Sequence, residues 1–268
     1  MDNKLLYENG SDYIIYFIPS NPGIIDFYEL FFDHLYEICE NNISIHAYGH
    51  LGHSKNYLDK NVYDLLDQIK YHNSNLKKLY KNNKNKKFIL IGHSLGAYIL
   101  SHICLSIPKK AVYKKILLFP AIENLGKSLY GRFINWFIYP LRYFFLLCIY
   151  ILSFLPDFFV RIILMFFFGN ISFHRATKKI IDPNVFINCM CVFRDEVEYI
   201  KDTNVLEDDD KNVFYLNSKD GWCPSNNYHN KILRDFEEAK IIVTDIDNCF
   251  ILDNYKKVCQ DIKNIIFQ

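Results

Sequence analysis

The pentapeptide Gly92-His93-Ser94-Leu95-Gly96 sets a serine between two glycines, with the apolar run Lys87-Phe88-Ile89-Leu90-Ile91 before it and helix-forming residues, Ala97 to Ser106, after it. A serine at such a strand-to-helix turn is built for nucleophilic attack. The turn is so tight that the serine backbone is strained and both flanking positions must be small. The strain lifts the hydroxyl clear of the strand. The helix start beneath it offers free N–H groups and the positive end of the helix dipole to an oxyanion. Ser94 is the candidate nucleophile, and the backbone N–H of Leu95 is one oxyanion donor. A second donor should come from the loop after the first central strand, where Pro19-Ser20-Asn21-Pro22-Gly23 stands. The prolines cannot donate, which leaves the N–H of Ser20 or Asn21.

These residues need a sheet to hold them. Apolar runs at Tyr13 to Ile18, Ile43 to Tyr48, Lys115 to Phe119, Asn212 to Leu216 and Lys240 to Ile246 read as strands. Helical spacing separates them at Asp26 to Cys39, with Asp26 as N-cap, at Leu58 to His72, at Tyr228 to Glu238 and at Tyr255 to Ile266. The Lys/Asn-rich run Lys77 to Lys87 reads as a solvated loop or helix end, with a basic docking patch as the alternative. The alternation predicts an α/β fold with a mostly parallel sheet covered by helices on both faces. Together with the Gly-x-Ser-x-Gly elbow it predicts the α/β-hydrolase fold, as a single domain over residues 1–268.

Half the residues are hydrophobic, enough for a sizeable core, and the net charge of +1 gives no sign of a nucleic-acid partner. The eight cysteines contain no Cys-x-x-Cys pair; Cys189 and Cys191, two apart, would share one face of a strand rather than surround a metal. Reduced thiols in a cytosol-facing protein are the expectation, and the N-terminal residues lack the apolar core of a signal peptide. The expected chemistry requires no metal and no dissociable cofactor.

Five features in order resemble one family, the lipid droplet-associated hydrolases. Its members carry Pro-Gly-Asn-Pro-Gly followed by Phe-Tyr, then His-x-Gly-His, Gly-His-Ser-x-Gly-Ala-Tyr and Asp-Gly-Trp-x-Pro. Here these stand as Pro19 to Gly23 with Phe27-Tyr28, His50-Leu51-Gly52-His53, Gly92 to Tyr98, and Asp220-Gly221-Trp222-Cys223-Pro224. The resemblance implies a serine hydrolase acting on neutral-lipid esters, associated with lipid droplets and the cytosolic face of the endoplasmic reticulum membrane. It also implies Asp220 as the triad acid, a position that follows a late strand, where this fold places its acid. An ordinary Asp-Gly turn is the alternative there.

The family closes its triad with His-Ala-Phe after the last strand. This chain has Asn248-Cys249-Phe250, 28 positions beyond Asp220. An amide has no basic state near neutral pH, and general-base help contributes about 10² to 10⁴ in rate. His50 and His53 lie in a loop at the C-terminal end of a strand, the active face of open α/β sheets, and are the possible substitutes; pocket shaping or loop support is the competing reading. His229 reads as a helix-face residue, and His93 should point away from the nucleophile.

From about 122 to 179 the alternation breaks into an apolar insertion. Its longest uncharged run, Tyr143 to Pro156, is 14 residues, against about 20 for a bilayer-spanning helix. Pro140 and Pro156 divide it into two helices apolar nearly all round. The expectation is a helical cap that contacts a lipid droplet or membrane surface through about 133–168, with a closed lid as the alternative. Two functions therefore remain: an esterase or lipase built on Ser94, and a non-catalytic lipid-binding scaffold that has lost its base.

Overall fold

The computed structural model describes residues 4–54, 61–156, 158–160, 162, 179–201, 206–217, 221–222 and 228–267. Seven strands, β1 (Lys4–Tyr7), β2 (Tyr13–Ile18), β3 (Ile43–Tyr48), β4 (Lys87–His93), β5 (Val112–Leu118), β6 (Asn212–Leu216) and β7 (Lys240–Val243), form one sheet in the order β1-β3-β2-β4-β5-β6-β7. All neighbours are parallel except the β1–β3 pair. Strand β1 carries only four residues and gave no period in the sequence; its place comes from pairing Lys4 to Tyr7 with Ile45 to Tyr48.

The period-2 geometry of a strand sends successive side chains to opposite faces, and both faces here are apolar. Ile14, Tyr16 and Ile18 join one core with α2 (Leu65–Asn82) and α3 (Leu95–Ile103). Ile15 and Phe17 join the other with α1 (Glu29–Ile38) and the helix Tyr255–Phe267. This is the doubly covered parallel sheet that the alternation predicts.

Local signals explain most boundaries and correct three expectations. Helix α2 opens on a capping box between Asp64 and Asp67 and runs to Asn82, so most of the Lys/Asn run is its solvated end. Asp26 is not an N-cap. A 3₁₀ turn, Ile25–Tyr28, precedes α1, and Asp26 forms an ion pair with Lys179. Cys189 and Cys191 lie in no strand: they sit on a helix, Pro183–Tyr199, capped by Asp182 with proline in its first turn. Two positions on a helix are about 200° apart, so the two sulfurs face different neighbours. The seven described cysteines are all free thiols.

The segment between β5 and β6 leaves the C-terminal ends of the strands. Helix α4 (Leu129–Phe133) continues as a π-helical turn through Ile138, and α5 (Arg142–Ser153) follows at an angle of 82°. No single described helix is long and apolar enough to cross a membrane. Large side chains stand in solvent along this pair, among them Trp136, Tyr143 and Phe144, at 77%, 69% and 60% exposure.

Candidate active site

Strand β4 delivers Ser94 into a left-handed backbone, φ 51° and ψ −114°, at the N-cap of α3. Such a conformation in a non-glycine residue costs about 1–3 kcal/mol and persists only where the surroundings impose it. Here they do. The Ser94 N–H donates to the Leu118 carbonyl, and the Ser94 carbonyl accepts from the N–H groups of Ala97 and Ala121, at 2.9, 3.0 and 3.2 Å. The flanking glycines have no slack. A Cβ on Gly92 would stand 2.5 Å from the Gly96 carbonyl oxygen, and one on Gly96 would stand 2.2 Å from that of Ile18. Gly96 thereby brings the start of α3 against the loop after β2, where the oxyanion candidates lie.

Beside Ser94 is a cleft lined by Phe119, Pro120, Ala121, Leu216, Asn217, Trp222, Tyr228 and Asn248. Its volume of about 20 Å³ has room for a water and not for an ester. Tyr228 is fixed by donating its hydroxyl to the Pro120 carbonyl at 2.6 Å. Phe119 takes a second left-handed conformation, φ 45°, at the end of β5. Of these residues only Ser94 and Asn248 were candidates from the sequence.

Beneath the elbow runs a chain of buried polar groups. The Ser20 hydroxyl lies 2.9 Å from the Tyr28 hydroxyl, which lies 2.7 Å from Nδ1 of His93, whose Nε2 lies 3.0 Å from Oδ1 of Asn248. Burial pushes His93 down to about 4, so its ring is neutral, and burial pushes the Tyr28 phenol up, so it keeps its proton. A tyrosine proton given to Nδ1 leaves Nε2–H to donate to Asn248, consistent with the Oδ1 contact. His93 thus points away from the nucleophile and toward position 248. Phe250, fully buried against Phe31, His93 and Phe119, holds that segment in place.

The oxyanion loop is also tied down. The Ser20 N–H donates to the Tyr28 hydroxyl at 3.1 Å, which commits the first candidate donor. Asn21 gives its side-chain amide to the Cys189 carbonyl and to Oε1 of Glu196, each at 3.0 Å. Glu196 is buried, and burial raises it to about 8, although the Asn21 contact pulls the other way. Sequence reading missed Glu196; the signal was a lone acid facing the core side of a helix that was itself overlooked.

His50 and His53 are brought to the other side of this loop. Both are buried and neither is among the described residues lining the cleft. His53 Nδ1 accepts the Gly23 N–H at 2.8 Å, and His50 Nδ1 lies 3.0 Å from Nε2 of His72, which bonds to Tyr16 through its other nitrogen. Burial lowers all three, His53 and His72 to about 3. They brace loops and do not stand where a base for Ser94 is needed. His229 is half-buried on the helix Tyr228–Asp235, and it too is absent from the cleft lining. Asp220 lies outside the described residues, but its neighbour Gly221 accepts from the Tyr130 N–H at 3.2 Å, which connects that loop to α4. No cluster of metal-ligating side chains occurs among the described residues.

The model of the lipid-droplet associated hydrolase family matches residues 11–250. The chain belongs to this family. The lipid droplet-associated hydrolases of Mus musculus and Gallus gallus are 30% and 27% identical to it, each alignment covering 90% of this chain and 80% of the relative. That of Homo sapiens is 27% identical, over 85% of this chain and 76% of its own. Among solved structures, a marine microorganism esterase superposes with TM-score 0.66 at 12% identity, covering 98% of both chains. The esterase EaEST from Exiguobacterium antarcticum gives 0.64 at 14% identity, covering 99% of this chain and 96% of that one. These likenesses establish the α/β-hydrolase fold. This chain presents Ser94 between two glycines and carries asparagine at position 248.

Proposed function

We propose that this family member is a lipid droplet-associated serine hydrolase acting on neutral-lipid esters, such as sterol esters or glycerides. The observation that carries this reading is the strained Ser94 elbow, held open by Gly92 and Gly96 at a structural cost that a mere scaffold would not require. Ser94 Oγ is the nucleophile and Asp220 the acid. The N–H of Leu95, at the first turn of α3, and that of Asn21 receive the oxyanion; Ser20 positions its loop through Tyr28. The Ser94 oxygen adds to the ester carbonyl, the alcohol leaves with a proton, and water then releases the acid from the acyl-enzyme. No histidine among the described residues lines the Ser94 cleft to move those protons, so turnover is slow, lower than for a complete triad by about 10² to 10⁴.

The exposed rings of α4 and α5 favour contact of the segment 133–168 with a lipid droplet or with the cytosolic face of the endoplasmic reticulum membrane. Asn248 favours a second reading, a lipid-binding scaffold of the same fold. Labelling of the purified protein by a fluorophosphonate, with Ser94→Ala as control, separates the two. Labelling that depends on Ser94 is expected. Its absence would leave the scaffold.

A further inference from the structure

Between α5 and the helix Pro183–Tyr199 lies a pocket of about 190 Å³, distinct from the cleft at Ser94. Leu146, Phe186 and Met190 form its apolar wall, and Arg142 lines it beside them. That guanidinium is clamped between two rings, with its central carbon 4.4 Å from the centroids of both Tyr139 and Tyr143. One of its nitrogens donates to the Tyr139 carbonyl at 2.9 Å. Arg142 has no carboxylate partner among the described residues. It is also the only charged residue described from Phe133 to Leu155.

A fixed cation without a counter-anion, on a segment that carries no other charge from Phe133 to Leu155, is an incomplete ion pair. Its position makes it more so, because Arg142 stands in the first turn of α5, where the helix dipole disfavours a cation. An anion bound at the guanidinium relieves both. The planar guanidinium matches phosphate through parallel N–H···O bonds, and it keeps that fork while stacked on aromatic rings. A second arginine, Arg194, lines the same pocket; it pairs only loosely, at 3.7 Å, with Glu198.

We propose that this pocket binds the headgroup phosphate of an anionic phospholipid, with Arg142 as its receptor and the apolar wall taking the adjoining part of an acyl chain. Charge complementarity selects the phosphate, and continuity with the exposed Tyr143 and Phe144 selects a lipid over a soluble anion. The volume is below the roughly 300 Å³ at which small-molecule pockets begin, so most of the lipid stays in its own layer. The inference rests on the reading that α4 and α5 lie on a lipid surface.

The test uses the full chain with two vesicle compositions, phosphatidylcholine alone and phosphatidylcholine with one fifth phosphatidate. The wild type is expected to bind the phosphatidate vesicles about tenfold more tightly. Arg142→Gln should bring that ratio close to one while binding to phosphatidylcholine stays unchanged. Arg142→Lys keeps the charge but not the fork, and should recover only part of the ratio. A full ratio in either variant would overturn the site, as would complete competition by inorganic phosphate. If the wild type binds neither vesicle, the surface reading itself fails, a result distinct from loss of the ratio alone.

Discussion

Around Ser94 the polar side chains are inside, and along α4 and α5 the large apolar ones are outside. His93 is 2% exposed and Trp136 is 77% exposed. Each is placed against its own chemistry, but only the first is resolved within the chain. Tyr28 and Asn248 supply His93 with partners on both ring nitrogens, which removes the penalty for burying it. Trp136, Tyr143 and Phe154 instead remain 77%, 69% and 71% exposed. A contiguous apolar face of this kind marks a surface whose partner is another phase or another molecule. The interior therefore specifies one geometry, and the exterior specifies a place.

That contrast can be broken or sharpened by experiment. The largest effect is expected at the elbow: Gly96→Ala puts a methyl group 2.2 Å from backbone oxygen, and recovery of normally folded protein would mean that the elbow has slack. Next comes Asn248→His, which puts a base at the end of the chain from His93. It should raise ester hydrolysis by about 10² or more, read as kcat on a short-chain ester. No gain would mean that Asp220 or the oxyanion donors are not arranged as proposed.

Acid should then act on the interior. His50, His53, His72 and His93 all titrate lower in the folded chain than the 6.5 of an unfolded one. Between those values the unfolded state binds more protons, so stability is intact above 6.5 and falls as the pH drops toward 4. Glu196 has the opposite sign. Its folded value of about 8 lies above the unfolded 4.5, so its contribution is present at acid pH and is lost as pH rises from 4.5 to 8. Glu196→Gln should therefore raise the denaturation midpoint at pH 8 and leave it nearly unchanged at pH 4.5. Equal shifts at both would deny the raised value. The smallest effect is expected outside: Trp136→Ser should move the melting temperature by no more than about a degree or two, while weakening binding to droplets.

The sheet was legible because apolar strands between helices carry their period in the sequence; Tyr13–Ile18, Ile43–Tyr48 and Asn212–Leu216 have the predicted ends. The elbow was legible because only glycine fits beside Ser94. The helix Pro183–Tyr199 was not, although Asp182-Pro183 announced it, because its Cys189 and Cys191 suggested a strand. The partners of His93 and Asn21 were not legible either. Tyr28 and Glu196 reach them across 65 and 175 positions, and no local pattern records contacts of that span.

The contact between His93 and Asn248 spans 155 positions. A ribosome adding about 5–20 residues per second needs roughly 8–30 s to make the second residue after the first. Throughout that time the nascent chain already contains Ser94, while the strand and turn that close its site do not yet exist. The exposed apolar surface of α4 and α5 emerges in the first half of the interval. On the proposed reading, this order of synthesis gives the growing chain a means of attachment before its reaction centre is finished.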